Sequence, residues 1–90
     1  MQEIIHDIQG SRFLLEVQGQ EVYVLYAEEK EIIELYSTYT PPQLRGQGLA
    51  AEVVKAALDY AKEKCLKVVP SCWYVRSYLE KHPEYNSITI

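Results

Sequence analysis

The sequence has little of what several classes of protein require. Its 90 residues include only two cysteines, Cys65 and Cys72, and their placement matches neither a disulfide framework nor a paired zinc-binding pattern. Both are therefore expected to be free thiols, and no metal site is predicted. No segment approaches the roughly 18 consecutive apolar residues that a membrane span needs. The sequence thus predicts neither a disulfide scaffold, nor a zinc domain, nor a membrane-spanning helix.

Positive charge is also scarce. Nine lysines and arginines against 13 acidic residues give a net charge of −4. Nonspecific binding to nucleic acid depends on basic side chains that neutralise phosphates, so a general nucleic-acid partner is not predicted. The start, MQEIIHDIQGSRF, has no basic stretch followed by an apolar run, so a secretory signal is not predicted and the cytoplasm is the expected compartment.

The first half of the chain has the pattern of β-strands. Residues 12–17 (RFLLEV) alternate apolar and polar side chains, a Gln-Gly-Gln turn follows, and residues 21–27 are rich in β-branched and aromatic side chains. This predicts a hairpin, preceded by a short strand near Ile4 and Ile5. Residues 31–40 predict a third strand that ends at two prolines, which cannot donate to a ladder. An antiparallel meander is expected.

The second half changes to a helical period. Residues 48–64 carry apolar side chains at spacings of three and four, with charged side chains on the other side, which predicts an amphipathic helix. Residues 66–69 predict a short buried strand, residues 74–81 a second helix, and residues 86–90 a loose or edge-pairing tail. A strand, a helix and a strand in succession imply a right-handed crossover with parallel strands. The fold class expected for this chain, read as one small domain over residues 1–90, is α/β (α+β) with a mixed twisted sheet.

The main functional signal is PPQLRGQGLAAEVVKAAL, which lies between the third strand and the amphipathic helix. The first amides of a helix have no intrahelical partner and the helix dipole adds positive charge, so this end suits a phosphate. Gly46 and Gly48 would let a ligand approach the backbone closely. Arg45 can add a charged bidentate contact, and Gln43 and Gln47 can donate hydrogen bonds. The alternative is that the glycines only shape a tight turn.

Three phosphate-site templates can be compared with this segment. The P-loop pattern GxxxxGK[ST] is absent. Residues 46–51 formally match G-x-G-x-x-A, but a dinucleotide site needs the glycines after the first strand and an acid at the end of the second. Here the glycines follow three predicted antiparallel strands, and the next strand ends in Val-Val-Pro-Ser. The third template is the pyrophosphate loop of acyl-coenzyme A binding proteins.

Residues 43–50, QLRGQGLA, match the Q/R-x-x-G-x-G/A motif of the GNAT superfamily of N-acetyltransferases. The chain resembles the small single-domain GNAT-like subfamily over nearly its whole length, through TYTPPQLRGQGLA, AALDYA and KVVPSCWYVRSYLEKHPEY. The resemblance implies a GNAT-like sheet that binds acetyl-coenzyme A and transfers acetyl to an amine acceptor, which the sequence does not identify. It implies a pantetheine arm along the end of the third strand and a pyrophosphate on the glycine loop. The implied coenzyme-binding residues are Tyr39, Thr40, Gln43, Leu44, Arg45, Gly46, Gln47, Gly48, Leu49 and Ala50.

Two residues are candidates for catalysis. Cys72 follows a strand end and precedes a helix whose free amides would favour the thiolate, so we predict a catalytic thiol. The alternative is a small buried apolar residue, and Cys65 is expected only to pack. Analogy with the larger superfamily implies that Tyr78 donates a proton to the leaving thiolate, against the alternative of a core tyrosine.

A general base is not evident from the sequence. Relatives in the small subfamily often have a histidine where this chain has Ser37, which puts the same route of catalysis in doubt. Glu34 is a further candidate base, or simply a solvated side chain. His6 and His82 are expected at the surface or as capping residues, although a pair of Cys72 with His82 stays open. The main alternative function is therefore a noncatalytic acyl-coenzyme A binding or protein-interaction module, followed by a purely structural domain.

Overall fold

A five-stranded sheet runs through the computed structural model, which describes residues 3–90. Neighbouring strands follow chain order, antiparallel from the first to the fourth, and the fifth is parallel to the fourth. The meander, the crossover and the mixed sheet predicted from the sequence are confirmed. The elements are β1 (Ile5–Asp7), β2 (Arg12–Val17), β3 (Gln20–Glu29), β4 (Ile32–Tyr39), α1 (Leu49–Glu63), β5 (Lys67–Pro70) and α2 (Trp73–Glu80), with short 3-10 helices at Pro42–Leu44 and Pro83–Ile88.

The core lies between one face of the sheet and α1. Alternate residues of the central strands, such as Leu15, Val24 and Leu35, are fully buried there. They belong to the same apolar cluster as the inward face of α1, including Val54 and Leu58. Burying a side chain of this size contributes about 1.5–3 kcal/mol, so these periodic positions fix the way α1 lies on the sheet. Among the described residues, no helix is long and apolar enough to cross a membrane.

A β-bulge interrupts β4. Leu25 pairs with Ser37 while Tyr26 pairs with Leu35, so Tyr36 is an extra residue with no partner in β3. An extra residue reverses the alternation of side chains beyond it. Thr38 consequently shares the helix-covered face with its partner Val24, whereas Ser37 is turned to the other face, which we call the open face.

The fourth and fifth strands separate beyond this bulge. Their parallel pairing ends with Leu35 opposite Pro70, and the amide of Cys72 then donates to the carbonyl of Leu35 at 3.1 Å. In the described part of the chain, the second half of β4 has a strand partner only on the β3 side. A gap is therefore left between the end of β4 and the start of α2.

The C-terminal segment pairs with the edge of the sheet. Thr89 forms a parallel bridge with Val68, and the amide of Ile90 donates to the Val68 carbonyl at 2.9 Å. Tyr85 is buried beside α1, and its hydroxyl donates to the carboxylate of Asp59 at 2.6 Å. Of residues 86–90, the last two therefore form the edge-pairing tail that was one of the two alternatives, whereas residues 86–88 belong to the second 3-10 helix.

Candidate functional site

A cleft of about 580 Å³ opens where β4 and β5 separate. Its walls come from the end of β4, the following loop, the start of α1 and the start of α2. Every residue expected to bind the coenzyme lies on these walls except Gln43 and Gln47, which are exposed elsewhere on the loop. The lining residues are Thr38, Tyr39, Thr40, Leu44, Arg45, Gly46, Gly48, Leu49, Ala50, Trp73 and Tyr74.

The glycine loop is held firmly at its start. The amide of Leu44 donates to the Pro41 carbonyl at 2.9 Å, and the Leu44 side chain is buried in the core. The Nε of Arg45 donates to the carbonyl of Thr40 at 3.0 Å, which lays this guanidinium against the end of β4. The loop therefore presents a permanent positive charge at the cleft.

Two glycines in this loop adopt backbone angles that other residues rarely take. Gly46 has φ +83° and Gly48 has φ +74°, and a Cβ added to either would meet nothing within 4 Å. Glycine is thus required by the backbone conformation rather than by crowding within the protein. Open space lies where a side chain would project, so another molecule can approach the backbone.

The first helix starts at the floor of the cleft without a side-chain cap. Gly48 is the residue before the first turn, and no side-chain hydrogen bond caps this end. Its first amides are left for water or a ligand, and the helix dipole favours a negative group there. Together with Arg45, this end of α1 can hold a phosphate despite the net negative charge of the chain.

Cys72 lies behind the α2 wall of the cleft, with 8% of its surface exposed. Its sulfur is 3.6 Å from the hydroxyl oxygen of Thr38. Burial raises the pKa of the Cys72 thiol, but the amide of Val75, the hydroxyl of Thr38 and the amides of Tyr74 and Thr38 outweigh it, so the pKa lies below the ordinary value. These first-turn amides favour the thiolate, although none makes a capping hydrogen bond to the side chain. The arrangement produces a thiol that ionises more easily than a free one.

Tyr78 lies in a second groove, of about 340 Å³, between α1 and α2. Its ring stacks on His82 with centroids 3.8 Å apart, and Nδ1 of His82 is 2.7 Å from the Tyr78 carbonyl oxygen. Burial raises the pKa of Tyr78. Tyr74 lines both the cleft and the groove. The structure thus brings Tyr74, rather than Tyr78, to the wall of the cleft beside Cys72, and the catalytic role expected of Tyr78 stays a prediction.

The candidate bases lie on the open face of the sheet. Glu34 occupies a strand position between two core residues, and its carboxylate accepts a hydrogen bond from the hydroxyl of Ser71 at 2.5 Å. Ser37 is on the same face because of the β-bulge. Neither residue lines the cleft. Any role of Glu34 in proton transfer would therefore operate from the side opposite Thr38.

Two secondary expectations need correction. His6 is half-buried rather than at the surface: its ring stacks on Phe13 at 4.1 Å, and its Nε2 is 2.6 Å from the hydroxyl of Tyr26. Cys65 does not pack in the core but is exposed, at the turn that follows α1. For His82 the capping alternative is observed, because its Nδ1 lies 2.7 Å from the Tyr78 carbonyl oxygen in the last turn of α2. The local sequence pattern missed the surroundings of His6 because its partners come from distant parts of the chain.

Sequence reasoning also missed three residues of the cleft. Thr38 reaches it only because of the β-bulge, which the alternation of residues 31–40 does not reveal. Trp73 and Tyr74 follow Cys72 directly, and this adjacency was the available signal. A helix that begins beside a strand end brings its first side chains to the same edge of the sheet.

Comparison with known proteins gives one consistent result. The family model described as GCN5-related N-acetyl-transferase matches residues 12–88. Protein NATD1 of Mus musculus is 36% identical over 81 residues, which cover 87% of this chain and 74% of that protein. Protein NATD1 of Gallus gallus is 33% identical over 84 residues, covering 90% and 76%.

The fold agrees with a solved structure. A GCN5-like protein from Staphylococcus aureus, determined by NMR in solution, superposes with a TM-score of 0.77 at 24% identity. The match covers 98% of this chain and 87% of that one. At this identity the likeness establishes the fold alone. The family match, by contrast, spans the whole cleft and Cys72, so the chain belongs to the GCN5-related N-acetyl-transferase family.

Proposed function

We propose that this protein, as one domain over residues 1–90, binds acetyl-coenzyme A and transfers its acetyl group to an amine acceptor. The observation that carries the proposal is the glycine loop. The backbone at Gly46 and Gly48 is open to the cleft, the first turn of α1 is uncapped, and Arg45 supplies charge. These features fit a pyrophosphate, which needs amide donors and a nearby cation.

The end of β4 would hold the pantetheine arm. Beyond Leu35 the strand has no neighbour on the β5 side within the described residues, so main-chain groups at Tyr39 and Thr40 border the cleft. An extended amide-containing chain can pair with such an edge in the manner of an added strand. Gln43 and Gln47 lie outside the cleft walls but belong to the same loop, where their side chains can donate to phosphate oxygens from the rim.

Cys72 is the residue proposed to carry the acetyl transfer. When bound, acetyl-coenzyme A supplies an acetyl group activated as a thioester. The depressed pKa of Cys72 favours a thiolate that can attack the thioester carbonyl carbon and displace the coenzyme thiolate. The neutral acceptor amine would then take the acetyl group from Cys72, and its proton would pass to the released Cys72 thiolate. A phenol on α2 would hold the proton for the departing thiolate, and burial raises the pKa of both Tyr74 and Tyr78, so both keep that proton at neutral pH.

A noncatalytic acyl-coenzyme A binding module is the second candidate. Cys72 is largely covered, and Ser37 cannot act as the base that a histidine would provide. Such a module would show the same coenzyme affinity without turnover. The two candidates therefore share the binding step and differ only in whether acetyl transfer occurs after it.

Calorimetric titration with acetyl-coenzyme A, coenzyme A and NAD tests the binding step that both candidates share. We expect saturable binding of the two coenzyme A compounds and no binding of NAD. Absence of coenzyme A binding at millimolar concentration would refute both candidates. If binding is found, acetylation of a panel of primary amines is compared between the wild type and Cys72→Ala. Loss of transfer with unchanged affinity indicates the enzyme, whereas no transfer by the wild type favours the module.

A further inference from the structure

Trp73 is the most exposed large aromatic side chain among the described residues. It is 70% exposed, compared with 47% for Tyr36 and 42% for Tyr39. It is the first residue of α2, directly after Cys72, and it lines the cleft. The chain contains one tryptophan, so this indole also provides a unique spectroscopic signal.

The backbone that carries the indole is anchored on two sides. The Arg76 guanidinium donates to the carbonyls of Pro70 at 3.0 Å and Ser71 at 2.9 Å, which ties α2 to the end of β5. The amide of Cys72 donates to Leu35 and so ties the same turn to β4. The backbone at Trp73 is thus held in place by hydrogen bonds to both neighbouring strands.

The indole itself has little packing of its own. Its ring contacts Tyr74 edge to face, with centroids 5.8 Å apart and planes at 78°. A single exposed apolar side chain is common on protein surfaces and has no meaning alone. The position of Trp73 makes it a candidate for binding, because it lines the same cleft as Thr38 and Tyr39, in the part of β4 that has no β5 partner among the described residues. A chain lying along that part of β4 would be bounded by strand on one side and by α2 on the other.

We propose that Trp73 covers the pantetheine arm of the bound coenzyme and selects ligands that carry this arm. The inference rests on the proposed function. An indole offers a broad apolar surface for the methylene and methyl groups of the arm, together with one N–H donor for its amides. Covering the arm removes both the ring and the ligand from water, so Trp73 adds affinity for the arm and none for the nucleotide half.

The test uses tryptophan fluorescence and calorimetry with two ligands. One is coenzyme A, and the other is adenosine 3′-phosphate 5′-diphosphate, the nucleotide half of coenzyme A without the arm. Coenzyme A is expected to change the fluorescence of Trp73 saturably, while the nucleotide half binds without this change. Trp73→Ala is expected to weaken coenzyme A about tenfold, from the apolar area no longer buried, and to leave the affinity of the nucleotide half unchanged.

Ile8→Ala is the matched control, because Ile8 is 72% exposed and lies in the β1–β2 turn, outside the cleft walls. It should leave both affinities unchanged. Circular dichroism melting should show both variants folded, since each side chain is mostly exposed.

Three results would overturn the assignment. Unaltered coenzyme A affinity in Trp73→Ala with no fluorescence change in the wild type would remove Trp73 from the arm and leave the proposed function standing. An equal loss of affinity for both ligands in Trp73→Ala would mean that Trp73 contacts the nucleotide half. A wild type that binds neither ligand would refute the proposed function, and this inference with it.

Discussion

The hydroxyl oxygen of Thr38 lies 3.6 Å from the sulfur of Cys72, and this contact links the end of β4 to the residue that precedes α2. Thr38 belongs to the separated half of β4, and Cys72 to the start of α2. A hydroxyl can donate to a thiolate more strongly than to a neutral thiol, because charged acceptors form stronger hydrogen bonds. Thr38 therefore positions Cys72 and helps to set its ionisation.

Thr38→Val should raise the pKa of Cys72 toward that of an ordinary thiol. The substitution keeps the branched shape and removes the hydroxyl that favours the thiolate. The measurement is the rate of alkylation by iodoacetamide as a function of pH. It is made in a Cys65→Ser background, so that Cys72 is the only thiol available for alkylation. A titration midpoint identical to that of the Cys65→Ser parent would show that the Thr38 hydroxyl does not support the thiolate.

Gly48→Ala should weaken coenzyme A binding by more than tenfold while the protein stays folded. The new methyl enters the open space beside the backbone where the coenzyme is proposed to bind, and a non-glycine residue at this positive φ costs about 1–2 kcal/mol of stability. Gly19→Ala is the matched control, since Gly19 has φ +76° in the β2–β3 turn and an equally open surrounding. Both variants should lose similar stability in urea unfolding, and only Gly48→Ala should lose affinity. Equal affinities in the two variants would remove the loop from the binding site.

Acid should destabilise the protein through His6. Burial lowers the pKa of His6 from its usual value of 6.5, against the opposing charges of Glu28 and Asp7. The unfolded chain then binds more protons than the folded one, so the contribution of His6 is complete above about pH 6.5 and is lost as the pH falls through the folded pKa. Urea unfolding between neutral pH and about pH 5 should show the free energy of unfolding decreasing, and His6→Gln should flatten this dependence. An unchanged slope in the variant would contradict the assignment.

Tyr74→Phe should slow acetyl transfer more than Tyr78→Phe. Tyr74 is on the cleft wall next to Cys72, whereas Tyr78 is stacked on His82 in the neighbouring groove. Loss of a proton donor typically lowers kcat by about 10²–10⁴-fold and leaves the coenzyme affinity unchanged. Rates under saturating acetyl-coenzyme A with a productive amine would decide between the two phenols. A larger loss in Tyr78→Phe would restore the role that the sequence indicated for Tyr78.

Much of the fold can be predicted from the spacing of apolar residues along the sequence. The spacing of Val53, Val54, Ala57 and Leu58 predicts α1 within a residue at each end, because this face has to be buried against a sheet. The glycine loop could also be predicted, because two glycines directly before an amphipathic helix allow a ligand to approach the N-terminus of that helix. Both features depend on residues that are close together in the sequence.

The parts that could not be predicted depend on contacts between distant segments. The alternation of residues 31–40 continues through Tyr36 without any sign that this residue is unpaired. The surroundings of His6 are assembled from Phe13, Tyr26 and Tyr60 on three other elements. In that cluster the Tyr60 hydroxyl donates to Glu28, which raises the pKa of Tyr60 to about 12. No local pattern in the sequence contains this arrangement.

The extra residue in β4 decides which face of the sheet each later position of the strand occupies. Ser37 and Thr38 are adjacent in the chain, yet the first belongs to the open face and the second to the side of Cys72. Pairing Tyr36 with β3 in a regular ladder, without the bulge, would exchange them, because a shift of one residue inverts the parity of a strand. The bulge therefore decides which of the two hydroxyl groups lies beside the thiol of Cys72.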